Sequence, residues 1–331
     1  MTVARLTAAA VLAIIAAAPF LPMGGMRQYA LHVLVQIFIW SFIGGAWSLM
    51  GRFGLISLGH GAFLGAGAYT TTLLWNFWGL TPWLGVLVAV AGAVVIGLVL
   101  GYPCFRFRVV GHYFALVTLA VGEVVRLLVI AERDWTGGSL GVTLKASAGE
   151  ASLAAIQFAD KRVFYYASVV VWLGGLWVWR RVDRSMARSA LEAIGEDETA
   201  AASVGIHVTR FKLAITVLSA ALTAVGGVLY AQYFTYVNPD TLSGIGVSLR
   251  IVFAVVLGGM YSLLGPTVGS ALTIALSEYL RVLFGLKFIG MAETIYGLVL
   301  ILCIIFLPAG IYGSLRAAIA RRMARRRAAP A

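Results

Sequence analysis

Charge is scarce in this sequence. Asp, Glu, Lys and Arg make up 11% of its 331 residues, whereas a soluble domain carries roughly a quarter. Ionisable side chains are costly in hydrocarbon, so so low a share, beside 61% hydrophobic residues, excludes a water-soluble fold and fits a chain held mostly inside lipid. Cysteine is nearly absent. Cys104 and Cys303 each fall in or at the end of an apolar run, offer no disulfide framework or zinc spacing, and read as small buried hydrophobes. The histidines His32, His60, His112 and His207 stand too far apart for a metal motif. No GxxxxGK[ST] phosphate loop, HExxH or GxSxG is present, so no catalytic set emerges, and any ATP hydrolysis belongs to another polypeptide.

What is present is a succession of apolar runs. A membrane span takes about 20 such residues, which leaves room for roughly ten. They fall at 6–23, 29–50, 54–77, 83–103, 111–131, 163–179, 213–236, 247–264, 266–285 and 289–308. Arg5, the stretch Leu6 to Ala18 and the small residues Ala16-Ala17-Ala18 also fit a cleaved signal peptide, but the run nearly reaches Met23 and reads better as a retained span. The net charge of +12 does not point to nucleic acid, because the cations cluster between apolar runs instead of covering a hydrophilic surface. Arg52, Arg106, Arg108, the loop with Arg180, Arg181, Arg184, Arg188, Arg210 and Lys212, and the C-terminal tail all fall on one side if the N-terminus is cytoplasmic. Positive charge marks the cytoplasmic side, so both termini are expected there. The expected architecture is an all-α polytopic membrane protein of about ten transmembrane or re-entrant helices. A transmembrane domain, 1–313, would contain the loop 184–212, and a basic tail, 314–331, would place Arg316, Arg321, Arg322, Arg325, Arg326 and Arg327 on anionic lipid headgroups.

Glycine and small residues concentrate in SLGHGAFLGAGAYT, 57–70, and in SLLGPTVG, 262–269, a short hint of an internal repeat. The spacings Gly61/Gly65, Gly97/Gly101 and Gly265/Gly269 suit close helix packing, while a broken segment beside a cavity is the alternative. Glu123, inside the fifth run, is either a functional intramembrane carboxylate or the partner of Arg126 one helical turn on. His60 reads as a packing contact or a pathway residue, and Thr136 to Gly138 as a docking loop or a plain glycine turn. The loop 184–213, RSMARSALEAIGEDETAAASVGIHVTRFKL, alternates small, apolar and acidic residues at helical spacing. It reads as a surface helix with Leu191, Ala193 and Ile194 toward a partner protein, Glu192, Glu196, Asp197 and Glu198 in water, and a stop at Gly205; a merely solvated loop is the plainer reading.

Several segments carry a resemblance. Gly195, Glu198, Ala201, Ala202, Gly205 and Ile206 approximate the cytoplasmic signature of ABC importer permeases, although Gly195-Glu196-Asp197 replaces the usual Arg-Glu-Asn and His207 an Asn. GLISLGHGAFLGAGAYT (54–70), GHYFALVTLAVGEVVR (111–126), TGGSLGV (136–142) and VLGGMYSLLGPTVGSAL (256–272) resemble, in order, segments of the Liv-type branched-chain amino-acid permeases, nearest the M-type, with Met260-Tyr261 where a Gly is usual.

The resemblance implies a multi-pass subunit of the bacterial inner membrane that moves a branched-chain amino acid inward. It would pair with an H-type permease, receive solute from a periplasmic binding protein and be driven by two cytoplasmic ATPases that hold ATP and Mg, with no cofactor or metal on this chain. It implies ATPase coupling through Arg188, Glu192, Ala193, Ile194, Glu198, Ala201, Ala202 and Gly205, and a pathway bordered by Ser57, Gly59, His60, Gly61, Thr118 and Glu123, with Thr136, Gly137 and Gly138 facing the periplasm. Urea, short amides or other amino acids are alternative cargoes of the same machine. An ion-coupled carrier, for which Glu123, Glu278 and Glu293 would be the groups, and a structural scaffold are the other classes.

Overall fold

The computed structural model describes residues 10, 12–20, 24–146, 151, 152, 154–158, 160–284, 291–306 and 310–314. Much of the expected first span, and the basic tail beyond residue 314, lie outside the described residues, as do the side chains of Glu293 and Cys303. The long helices are α1 (Arg27–Gly51), α2 (His60–Trp78), α3 (Pro82–Arg106), α4 (Gly111–Ala131) and α5 (Lys161–Asp183), followed by two short helices, α6 (Met186–Glu196) and α7 (Glu198–Ser203). Then come α8 (Val208–Phe234), α9 (Ile245–Gly258), α10 (Gly265–Phe284) and α11 (Met291–Phe306). Seven stretches are long and apolar enough to cross a membrane: α1, α3, α4, α5, α8, Pro239–Gly258 and α10. The protein is an all-α, multi-pass membrane protein. Its strands are two-residue pairs, such as Val142–Thr143 against Tyr236–Val237.

Each expected span from 29–50 onward meets one of these helices, with two corrections. The third run is not helical from 54: residues 54–59 turn back into the interior and α2 begins only at His60. The eighth does not reach 264, because α9 stops at Gly258 and Gly259, at φ +109°, reverses the chain toward α10. Helix α2, rich in Gly, Ala and Thr, is not among those seven stretches, yet most of it is buried.

The core is built around α1. Val35, Ile39, Ile43 and Trp47 on α1 pack with Leu64 and Ala68 of α2, Tyr165 and Trp172 of α5, Leu229 of α8, and Ile251 and Val255 of α9. Lipid tails are as apolar as leucine, so burial alone does not hold such helices together; close backbone approach and interhelical hydrogen bonds do. The crossing of α2 and α8 shows this. A Cβ on Gly67 would lie 2.2 Å from the Ala224 carbonyl oxygen, and one on Gly227 would lie 2.1 Å from that of Leu64. Only glycine permits this approach. Helix α4 packs loosely, burying Phe114, Thr118 and Gly122 and leaving Leu116, Val124 and Leu128 on the outside.

One end of the bundle carries the close of α1, α3 and α5, together with α6 and α7. The other carries the loop after α4, tied to the end of α2 by Asn76 Nδ2 donating to the Thr143 carbonyl (2.9 Å) and Trp75 Nε1 to that of Lys145 (2.9 Å). Phe77, Trp78 and Trp135 stack there, the Trp rings 5.7 Å apart. Tryptophan favours the boundary between lipid and water, where its apolar ring and N–H are both satisfied.

Candidate functional site

Within α6, Ala190, Leu191 and Ile194 recur at helical spacing and form one stripe. All three are buried, Leu191 to 2% and Ile194 to 4% exposure. They meet the chain's own surface; Leu191 joins Leu49, Met50, Leu55, Phe105 and Trp179. The expectation that Leu191 and Ile194 face a partner is therefore corrected: an apolar stripe takes the nearest apolar surface, and here that surface is intramolecular. Ala193 is half-buried. The outward face is Met186, Arg188, Ser189, Glu192 and Glu196, with Met186 89% exposed.

A sharp turn at Asp197 separates α6 from α7. The Asp197 carboxylate accepts from the Thr199 hydroxyl (2.5 Å) and from the backbone N–H groups of Thr199 (2.7 Å) and Ala200 (3.0 Å), capping α7. Those donors, the Thr199 hydroxyl first, hold its carboxyl below the usual carboxylate range. A depressed carboxyl stabilises the cap fully above its ordinary pKa and loses that contribution as pH falls through the lowered one. In α7, Ala201 is buried and Ala202 exposed; Gly205, just beyond the helix, is exposed at φ +91°. Glu198 is not simply in water, because it pairs with the buried Lys212 at the start of α8. The other anchor is a shared carboxylate: Asp183 at the end of α5 takes Arg52 (3.1 Å) and Arg188 (3.1 Å), and Arg188 also reaches Glu192 (2.7 Å). The Arg52 guanidinium lies 4.0 Å from the Trp179 ring. The α6–α7 segment is thus fastened to α1, α5 and α8 and presents a free outer face. Beside it opens a basic cavity of about 610 Å³, lined by Arg106, Arg108, Ala202, Gly205, His207 and Arg210.

Of the residues expected along a pathway, Ser57, Gly59, His60, Gly61 and Thr118 are brought together, but as a closed interior junction. His60 is fully buried, with Nδ1 3.1 Å from the Ser57 hydroxyl and Nε2 2.9 Å from that of Ser219, which donates to the Ala46 carbonyl (2.7 Å). The Thr118 hydroxyl accepts from the Leu58 N–H (2.9 Å), and Ser248 from that of Gly61 (2.9 Å). This knot satisfies the backbone where 54–59 re-enters the bundle, as irregular backbone at depth requires. The junction is closed in this conformation, and these residues tie α2, α4, α8 and α9 together there.

Glu123 is half-buried on α4 and accepts from Arg126 Nε (2.8 Å) and Nη2 (2.5 Å), while Arg126 Nη1 reaches Asp240 (2.7 Å). Since Asp240 holds Arg126 independently, Glu123→Gln is expected to change solute uptake by less than about fivefold in a vesicle assay. A larger loss would assign the carboxylate a transport role. Thr136 and Gly138 are buried, and a Cβ on Gly137 (φ +73°) would lie 2.0 Å from the Gly141 carbonyl oxygen, so 136–138 form a glycine turn. Thr136 and Gly138 do not face outward; Trp135 and Leu140, beside them, do.

One feature was not singled out from the sequence. Arg250 lies near the middle of the apolar stretch Pro239–Gly258 and borders a cavity of about 270 Å³ with Gln36, Ser270, Ser277, Glu278 and Arg281. An isolated arginine in such a stretch is the signal that would have found it. Among the described residues there is no cluster of His, Cys, Asp and Glu able to hold a metal.

Comparison with known proteins agrees with this architecture. The family described as branched-chain amino acid transport system / permease component matches residues 29–307. The high-affinity branched-chain amino acid transport system permease protein LivM of Salmonella typhimurium is 30% identical over 82% of this chain and 67% of its own length. LivM of Escherichia coli K12 is also 30% identical, over 84% of this chain and 68% of its own. LivH of Escherichia coli K12 is 25% identical over 87% and 98%. No solved structure matches the chain.

Proposed function

Because the chain belongs to the branched-chain amino acid transport system / permease component family, we propose that it is one of two membrane subunits of an ATP-driven importer that carries branched-chain amino acids into a bacterial cytoplasm. Its partner is an H-type permease in the inner membrane. A periplasmic binding protein delivers the solute near Trp135 and Leu140. Two separate ATPases, which bind the ATP and Mg, sit on the outer face of α6 and α7. The observation that carries this reading is the α6–α7 segment itself, fastened underneath by Leu191, Ile194, Asp183 and Lys212 and free on the side of Met186, Ser189 and Glu192. Arg52, Arg106, Arg108, Arg188 and Arg210 gather at that end, which favours a cytoplasmic location for it and for both termini. The basic tail then meets anionic lipid.

The geometry accounts for coupling in physical terms. A nucleotide can shift a conformational equilibrium only by binding its two states unequally. Closure of the ATPase pair displaces α6, and α6 cannot move without carrying Asp183, Arg52 and the ends of α5 and α1. Those ends reach the junction at Ser57 and His60 through Trp47, whose Nε1 donates to the Ser57 carbonyl (2.8 Å). Reconstitution tests the reading. This chain, the second permease and the ATPases in proteoliposomes should accumulate leucine only with internal ATP and the binding protein. Accumulation driven by an ion gradient without ATPase would favour a secondary carrier. Accumulation of urea or short amides in place of leucine would change the cargo and keep the machine.

A further inference from the structure

The cavity between α1, α9 and α10 has the chemistry to hold a free amino acid in transit. Arg250 makes no ion pair among the described residues, although it sits near the middle of an apolar membrane stretch. A guanidinium facing hydrocarbon there is costly, so its side of α9 borders water or a polar occupant. Its guanidinium lies 6.0 Å from the centroid of the Trp40 ring, and among the described residues no hydrogen bond or ion pair engages its donor fork. Across the space, Glu278 on α10 accepts from Tyr29 (2.8 Å) and Arg281 (2.7 Å). A carboxylate has about four acceptor sites, so capacity remains on it. On the wall between them the Ser270 hydroxyl is buried with no hydrogen-bond partner, a cost normally met by a ligand or water. Ile251, Ala254 and Ile274 complete the lining with aliphatic surface.

We propose that this cavity is a transit site for a zwitterionic aliphatic amino acid, with Arg250 receiving the α-carboxylate, Glu278 the ammonium group, and Ile251, Ala254 and Ile274 the side chain. The assignment rests on the importer reading and adds a location and a recognition chemistry to it. It explains why an importer of aliphatic amino acids has a path that is not purely apolar: both charged ends of the solute need partners at depth, or the cost of stripping their water goes unmet. Urea and uncharged amides would leave Arg250 and Glu278 unsatisfied and be held poorly.

The test uses the complete reconstituted transporter with its native cysteines replaced and Ser277→Cys on the cavity wall, first confirmed to take up leucine. Leucine at ten times its half-protecting concentration should slow modification of that thiol by a water-soluble reagent about tenfold, as occupancy requires. Leucinamide, without the carboxylate, and 4-methylpentanoate, without the ammonium group, should protect far less. Adding Arg250→Gln should raise the half-protecting leucine concentration about tenfold or more, the usual loss for a charge-assisted hydrogen bond, and Arg250→Lys should restore part of it. Modification at one rate with and without leucine, in a transporter that still imports leucine, would overturn the site and leave the importer reading intact. Equal protection by leucinamide would overturn the zwitterion chemistry. Failure of the Ser277→Cys parent, and of the unmodified transporter, to import any amino acid would instead remove the reading on which the site rests.

Discussion

Ala202→Trp is expected to abolish solute-stimulated ATP hydrolysis and transport while leaving the permease folded and inserted. Ala201→Trp, one residue earlier, is expected to damage the protein itself. The two alanines point in different directions from α7, about 100° apart: Ala202 is exposed beside the basic cavity, and Ala201 is 3% exposed against the chain's interior. A bulky ring at Ala202 projects from an exposed position beside the cavity, where it obstructs a docking partner. At the centre of a protein interface such a clash costs several kcal/mol, enough for more than about a hundredfold loss of affinity. At Ala201 the same ring has no room, and overpacking a filled site costs about 1–3 kcal/mol or more of stability. Thermal stability in detergent, yield and ATPase stimulation measured on both variants separate the effects. Stimulated hydrolysis at the unmodified level in Ala202→Trp would remove α7 from the docking surface.

The second large effect falls on stability. A methyl group at Gly59 would lie 2.1 Å from the Thr118 carbonyl oxygen and 2.8 Å from its carbon. Both are backbone atoms of α4, so α4 must move away from the re-entrant segment. That movement also breaks the bond from the Leu58 N–H to the Thr118 hydroxyl and crowds the loop held by His60 and Ser57. Gly59→Ala should therefore cost about 3 kcal/mol, at the upper end of ordinary overpacking, read as a lowered unfolding temperature in detergent. Gly92→Ala is the matched control: a Cβ there meets nothing within 4 Å, and alanine favours the helix by about 1 kcal/mol over glycine. Equal behaviour of the two variants would show that the junction is not close-packed.

The same contrast shows how much of the molecule can be read from its residues. Span positions were legible because hydrocarbon leaves little choice: backbone groups must be satisfied internally and side chains must be apolar. The amphipathic stripe of α6 was legible too, but not its direction. Periodicity places Ala190, Leu191 and Ile194 on one face; it does not say whether that face meets a partner or the end of the chain's own α3 and α5. His60 presents the same difficulty. Its bonding partner Ser219 stands 159 residues away, and only the fold decides whether a buried imidazole faces a hydroxyl or an opening. The re-entrant start of α2 was legible only as an alternative to plain helix packing, because 54–59 are as apolar and small as a helix of this protein. Arg250 was in plain view as a charge inside a span. The glycine-rich motifs are more conspicuous, and several of their glycines sit at close approaches between helices.

The central claim is that the outer face of α6 looks into the cytoplasm and takes a separate ATPase. A single thiol at Ser189, introduced as Ser189→Cys with the native cysteines replaced, tests it directly in sealed cells. The account predicts no reaction with a membrane-impermeant reagent from outside, rapid reaction once the membrane is opened, and protection from that reaction when the ATPase subunits are present. Ready modification from outside in intact cells would place α6 on the wrong side of the membrane for any nucleotide-driven partner and contradict the account.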